Sequence, residues 1–305
     1  MTAKLAQTPF VSIIIPVYNS NKFLGNCLAA LSKQTYAKDR YEIIVVDNNS
    51  TETVSDVTND FEQVTLTHES QPGSYIARNK GLSLAKGDVI AFTDADCIPT
   101  PTWLENGVAV LLSEPNVGLV AGHIDLFAED ANNPNPYELY EIIALGFPQD
   151  QFLENGQFGV TANLFTFSHV IKAVGDFDKT LKSGGDKQWG QRVFNTGYRQ
   201  LYAKDACVKH PTRNTWDDLY KRCTRIMGGR YDAIKTGKTT QLALLIDFIS
   251  FLKPPVRFFI RTWQDKRLRT PRQKIQFTTV MLRLRGAAIK ERMRLQFGGG
   301  ISERG

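Results

Sequence analysis

Asp94 and Asp96 stand one residue apart at the end of the apolar run Val89-Ile90-Ala91-Phe92, and they are the first candidates for chemistry in this sequence. A strand covered on both faces needs no polar alternation, so the run reads as a buried parallel strand with the carboxylates where it leaves the sheet. In open α/β sheets the crevice beyond the carboxyl ends of the strands is where ligands bind. If the strand continues through Ala95, the two side chains share a direction, because strand side chains repeat every two residues. Like charges held together in a cleft are costly unless a cation lies between them or one takes a proton. A hard divalent ion resolves the conflict, since Mg²⁺ commonly uses one or two carboxylates together with phosphate oxygens. The competing readings are a polar loop, or Asp94 as a cap on the following turn. Asp-x-Asp alone does not decide among them.

The elements that would position these residues are legible as a series. Phe10 to Pro16 is a first buried strand, stopped by a proline that cannot donate to the ladder. Asn19 or Ser20 can cap a helix whose apolar face takes Phe23, Cys27, Leu28 and Leu31. Tyr41 to Val46 is a second buried strand ending in Asp47-Asn48-Asn49-Ser50, and Val64 to His68 a short third. Ile76 to Ala85 reads as a helix with Arg78 and Lys80 near its start, and the Val89 to Phe92 strand follows. Strand, helix, strand, helix, strand implies right-handed parallel crossovers in one sheet. Val17-Tyr18-Asn19, Asp47 to Ser50 and Asp94-Ala95-Asp96 should then open on one edge, where a nucleotide could lie. No GxGxxG follows the first strand, and Gly237-Lys238-Thr239 lacks the earlier glycine of a P-loop.

At 305 residues the chain suffices for one large α/β domain with an appendage or for two modest domains. Hydrophobic content of 42% with 22% charged residues is that of a globular protein. Cys27, Cys97, Cys207 and Cys223 form no CxxC pair or metal-ligand spacing, as expected of reduced thiols in a cytoplasmic protein. Met1 to Phe10 has no apolar leader, and no run approaches the roughly 18 apolar residues of a spanning helix. The net charge of +6 is uneven: Lys253 to Phe297 carries 13 Lys and Arg against Asp265 and Glu291. Any acidic partner therefore belongs to the tail.

Taken together, Val-Ser-Ile-Ile-Ile-Pro-Val-Tyr-Asn (11–19), Val-Val-Asp-Asn-Asn-Ser (45–50), Ala-Arg-Asn-Lys-Gly (77–81) and Phe-Thr-Asp-Ala-Asp-Cys (92–97) resemble a family 2 glycosyltransferase in order and spacing, over about residues 10 to 210. The resemblance implies the A-type glycosyltransferase fold: a Rossmann-like, mostly parallel sheet flanked by helices, here with a basic helical C-terminal extension. It also implies a nucleotide-sugar donor, a divalent metal (Mn²⁺ or Mg²⁺) and inversion at the anomeric carbon. Position by position, Pro16, Val17, Tyr18 and Asn19 would line the base and ribose. Asp47 would accept a hydrogen bond from the base, most naturally the imide of uracil. Arg78 would meet the base or phosphates with Lys80 beside it, Asp94 would face the ribose or a metal-bound water, and Asp96 would ligate the metal. In the same family a Glu-Asp or Gly-Asp pair supplies the general base, and Gly185-Asp186 matches it. Asp176 and Asp178 are the competing carboxylates. His123 could touch the diphosphate or metal or be structural, and Trp189 could stack on a sugar or pack in the core.

Two segments remain. Glu129 to Gly156, broken by Pro134, Pro136 and Pro148 with a helix possible over Tyr137 to Leu145, reads as an insertion shaping the acceptor pocket. Residues 1–230 would form the catalytic domain and 231–305 a basic amphipathic tail. Thr212 to Gly229 reads as a helix with Trp216, Leu219, Tyr220, Cys223 and Ile226 on one side, and Arg222, Arg225 and Arg230 could close over the diphosphate. No Gln-x-x-Arg-Trp motif of the processive members is present, which counts against a polymer synthase. Leu242 to Leu252 is too short to span a bilayer, while Val256 to Trp263 and Phe277 to Phe297 mix aromatics, leucines and arginines. Such helices fit an anionic membrane surface, with apolar side down and basic groups at the headgroups. A pair of helices packed on protein is the alternative. The expected activity is sugar transfer to a glycan or lipid-linked acceptor at the cytoplasmic membrane face, with no nucleic-acid recognition motif. The rivals are a nucleotidyltransferase, which would need a Gly-rich basic stretch after the first strand, and a catalytically silent scaffold or sugar-nucleotide sensor.

Overall fold

Strands β1 (Val11–Val17), β2 (Tyr41–Asp47), β3 (Val64–His68) and β4 (Val89–Thr93) carry the long apolar runs of the sequence, and all but β3 are buried along most of their length. A computed structural model describes residues 8–235, 246, 248–249 and 256–297. With β5 (Ile98–Pro99), β6 (Val117–Phe127), β7 (Asn163–Phe167) and β8 (Arg199–Pro211), these strands form one sheet in the order β3-β2-β1-β4-β7-β6-β8-β5. β1 runs parallel to β2 and β4, and β2 parallel to β3. β7 is antiparallel to both β4 and β6, and β5 to β8. The chain leaves β1 toward β2 and β3 and returns to its other side at β4, so the β1/β4 boundary is a topological switch point. Val17 stands opposite Asp47 in the register, which sets the ends of β1 and β2 level.

The helices seal this sheet with some departures from the expected faces. Asn21–Leu31 buries Leu24, Cys27, Leu28 and Leu31, while Phe23 turns outward. Ser20 makes no side-chain cap bond; the Asn19 side chain is instead spent on Thr51. Beside β6 to β8, the buried Asn163 amide accepts from Trp103 Nε1 at 2.8 Å and donates to the carbonyls of His123 (2.7 Å) and Ala206 (2.9 Å). All its polar capacity toward the core is thus met, as burial requires.

The chain divides into two compact units: the described residues within Met1–Asp125, Phe147–Thr180 and Gly185–His210, and those within Leu126–Gly146, Leu181–Gly184 and Pro211–Gly305. In the second unit Pro136–Tyr140 starts on a capping box, Asn135 with Glu138, and runs into a π-turn at Glu141–Leu145. Glu141 is fully buried and accepts from the backbone N and the guanidinium of Arg213, both at 2.5 Å, with Arg222 3.6 Å away. The helix that holds Arg222 spans Trp216–Lys235, a few residues later than expected, and buries Leu219, Thr224 and Met227 while Ile226 points out. Arg222 therefore lies beside the buried Glu141 carboxylate.

The C-terminal helices differ in how much apolar surface they bury. Pro271–Phe297 packs Phe277, Val280, Met281 and Leu284 against Leu139, Tyr140, Leu219 and Leu268. That face is closed to a membrane, while Ile275, Leu282, Met293 and Phe297 of the same helix are exposed. Val256–Gln264 leaves Val256, Ile260 and Trp263 more than half exposed. Among the described residues no helix is long and apolar enough to cross a membrane. Met1 to Gln7 and Gly237-Lys238-Thr239 lie outside the described residues, as does Leu242 to Leu252 apart from Ile246, Phe248 and Ile249.

Candidate active site

The loops that follow β1 and β2 are tied to each other. Pro16 is half-buried, Val17 buried and Tyr18 exposed. Asn19 takes the left-handed conformation (φ 47°), which asparagine tolerates better than most residues. Its backbone N–H donates to Ser50 Oγ at 3.0 Å and its Oδ1 accepts from Thr51 N at 2.8 Å. Asp47 Oδ1 accepts from Ser50 N at 2.9 Å, while Oδ2 lies 3.2 Å from His68 Nδ1. Asn48 reaches the other way, donating to the Glu69 and Gln71 carbonyls and accepting from Gly73 N. These bonds hold a shallow polar edge in which the Tyr18 ring is the exposed apolar surface.

The Ser74–Leu84 helix brings Arg78 to the third strand end. Its guanidinium is buried and donates to Asp94 Oδ1 at 2.5 Å. Asp94 to Asp96 is a turn, closed by Cys97 N donating to the Asp94 carbonyl at 3.0 Å, so the strand does not continue through Ala95. Burial still alternates: Ala95 and Cys97 face the core while both aspartates stay about one-third exposed. The carboxylates are then matched separately, Asp94 with Arg78 and Asp96 with a residue that the sequence reading did not single out. His210, near the end of β8, is buried with Nε2 3.5 Å from Asp96 Oδ2, and its ring is 5.2 Å from that of Phe147. A lone histidine before a proline at a strand end was the available signal, and only the antiparallel half of the sheet carries it to β4.

Asp96, Cys97 and His210 place one ligand atom each within 4.8 Å of one another, the one such group among the described residues. A separation of 3.5 Å is long for a hydrogen bond but natural for two atoms sharing an ion through bonds of roughly 2.1 Å. Carboxylate oxygen and imidazole nitrogen suit a divalent ion that also takes phosphate oxygens. The Cys97 thiol is fully buried, and burial first, then Asp96 and Asp94, holds it well above the usual thiol range. It packs in the core next to Asp96 and His210. The residues present fit a metal through Asp96 and His210.

Asp186 sits in the first turn of the Gly185–Asn195 helix. Its Oδ1 accepts from the Tyr75 hydroxyl at 3.0 Å and from Lys187 N at 3.2 Å. Burial raises its pKa above the ordinary carboxylate value, opposed by the Arg78 charge and the Tyr75 hydrogen bond. A carboxyl raised in this way is suited to general-base work near neutral pH. The competing Asp178 is committed elsewhere, accepting from Thr180 N and Oγ1 and from Gln188 Nε2; those bonds lower its pKa. Trp189 is fully buried and donates to the Gly175 carbonyl at 2.9 Å, so it packs the core and offers no platform to a sugar. His123 is bound to the Tyr202 hydroxyl at 2.9 Å.

Known proteins share both the pattern and the architecture. The model for "Glycosyl transferase family 2" matches residues 12–173. "Glycosyltransferase AglE" of Haloferax volcanii is 35% identical over 258 residues, 81% of this chain and 83% of that protein. The "Dolichyl N-acetyl-alpha-D-glucosaminyl phosphate 3-beta-D-2,3-diacetamido-2,3-dideoxy-beta-D-glucuronosyltransferase" of Methanococcus voltae is 24% identical over 225 residues, 70% of each chain. Among solved structures, the mannosyltransferase PcManGT from Pyrobaculum calidifontis, in complex with GDP-Man and Mn²⁺, superposes with a TM-score of 0.63 at 18% identity, covering 97% of this chain and 89% of that one. The fold is therefore the A-type glycosyltransferase fold that the four motifs imply. With a family model matching more than half of its residues and a relative 35% identical along most of both chains, the chain belongs to glycosyl transferase family 2.

Proposed function

We propose that this glycosyltransferase moves a hexosyl group, with inversion, from a nucleoside-diphosphate sugar to a hydroxyl of a lipid-linked or cell-surface polysaccharide precursor. The observation that carries the reading is the convergence around β4 of an Arg78–Asp94 pair, an Asp96–His210 pair and a raised Asp186 carboxyl. Tyr18 and Asp47 present a face and an acceptor to the base, with uracil the preferred partner of Asp47. Arg78 orients Asp94 toward the ribose side. A divalent ion on Asp96 and His210 would supply positive charge to the departing diphosphate. Asp186 takes the proton of the attacking hydroxyl, so one displacement suffices and the configuration inverts. The Methanococcus relative, whose name specifies a dolichyl-linked sugar phosphate, supports a lipid-linked acceptor.

The donor is read by thermal unfolding with a panel of UDP- and GDP-sugars, with and without Mn²⁺. A ligand bound only to the native state raises the melting temperature, by an amount set by RT ln(1 + [L]/Kd). One UDP-sugar is expected to give a metal-dependent rise of several degrees. A rise with a GDP-sugar alone moves the base assignment, and no rise with any donor favours the silent scaffold.

Membrane attachment at the cytoplasmic face belongs to the same proposal. Val256, Ile260 and Trp263 recur at helical spacing and are 58%, 53% and 56% exposed. Lys274 Nζ lies 5.6 Å from the Trp263 ring centroid. Apolar residues beneath a basic segment are what an anionic interface attracts. In flotation assays the protein is expected to rise with phosphatidylglycerol vesicles, to stay behind with phosphatidylcholine, and to lose most binding on Ile260→Glu. Equal flotation of parent and variant would remove this helix from the attachment.

A further inference from the structure

Tyr75 and Asp186 are 111 positions apart in sequence and joined by a hydrogen bond. The Tyr75 ring is buried, stacks on Phe177 with centroids 5.8 Å apart, and has the Arg78 guanidinium 5.9 Å from its centroid. Gly185 closes the other side: a Cβ there would lie 2.6 Å from Tyr75 Cε2 and 2.7 Å from Cζ. Since Gly185 is not among the residues of positive φ, the ring and not the backbone requires glycine at 185. Burial, and then the Asp186 charge, push the phenol far above its usual range, so it remains a neutral donor. The hydrogen bonds from the Tyr75 hydroxyl and from Lys187 N both fall on Oδ1.

We propose that Tyr75 is the positioning residue for the base of the transfer reaction, fixing Asp186 by its Oδ1 so that Oδ2 faces the acceptor, with Gly185 making room for the ring. The inference rests on Asp186 being the base. In the step itself the acceptor O–H bond breaks and its proton goes to Oδ2. The oxygen's electron pair forms the new bond to the anomeric carbon, and the bond from that carbon to the diphosphate oxygen breaks with its electrons leaving on the diphosphate. A phenol bonded to a carboxylate favours the ionised form and so offsets burial. The groups bearing on Asp186 are Tyr75 and the Arg78 cation from the Ser74–Leu84 helix, with the backbone N–H groups of Asp186 itself and of Lys187.

The test compares Tyr75→Phe with the parent across pH. Phe keeps the stacked ring and removes only the hydroxyl. Roughly a tenfold to hundredfold fall in kcat is expected, with donor KM unchanged and the acid limb of kcat/KM displaced to higher pH. Gly185→Ala, which pushes the ring aside, should act in the same direction and add little on top of Tyr75→Phe. The proposal is overturned if Asp186→Asn is inactive but Tyr75→Phe keeps the parent's kcat and acid limb. It is equally overturned if activity falls only in step with melting temperature while the acid limb stays in place. Full activity in Asp186→Asn would instead remove the base assignment on which the proposal stands.

Discussion

Asp186→Asn is expected to bind donor as the parent does and to transfer sugar about 10³-fold more slowly, the scale of a lost general base. Asparagine has the size of aspartate and its carbonyl oxygen can still accept from the Tyr75 hydroxyl and Lys187 N, so the first turn of the helix should stand. What it cannot do is take a proton from the acceptor. The parent's rate should also fall as pH drops through the raised pKa of Asp186, because only the ionised carboxylate acts as base. The amide of the Asp186→Asn variant has no such ionisation, so its residual rate should lose that limb. Asp178→Asn is the contrast: its carboxylate serves Thr180 and Gln188, so transfer should stay within a few-fold of the parent. Initial rates across a pH series, with donor binding measured separately, check both. Reversal of the two variants would move the base to Asp178.

How much of this was legible in the sequence follows from burial. β1, β2 and β4 are covered on both faces and so appear as unbroken apolar runs, and their polar ends name the site without knowledge of the sheet. β6 and β7 are buried in the same way over most of their length, but β8 is not. β8 begins with four positions that are not buried and alternates only from Ala206 to Pro211, and nothing local says that its last residues reach Asp96, which is why His210 was not singled out. In the first helix, stripes through Phe23 or Leu24 share Cys27, Leu28 and Leu31; the period permits both, and the sheet beneath selects Leu24. The same ambiguity governs the tail. Phe277 to Leu284 has an apolar face that periodicity offers equally to lipid or protein, and packing against Leu139 and Leu219 decides for protein. Tyr75 drew no reading from the sequence, because the contact that singles it out is made across 111 positions.

Asp96→Asn is expected to abolish the metal-dependent part of donor binding and to lower transfer by about 10²–10³-fold, since charge on the leaving diphosphate then goes uncompensated. The substitution keeps the side chain's shape on a turn that is already one-third exposed, so the fold should survive and the melting temperature without ligand should hardly change. His210→Gln offers an amide where the imidazole was, and should raise the Mn²⁺ concentration for half-maximal activity by at least about tenfold, as even groups that only support a metal ligand do when removed. The two effects should not add: once Asp96 is gone, His210 holds an ion that has already lost its anionic ligand, and the double variant should resemble Asp96→Asn. Cys97→Ala separates this arrangement from a thiolate site. If the buried Cys97 side chain contributes packing alone, Cys97→Ala should lower the melting temperature slightly and leave the Mn²⁺ requirement where it was. Loss of metal dependence in Cys97→Ala, with Asp96→Asn and His210→Gln unaffected, would instead make the metal a ligand of sulfur. Activity of the parent undiminished after chelation would remove the metal from the reaction, leaving Asp96 and His210 as a polar pair.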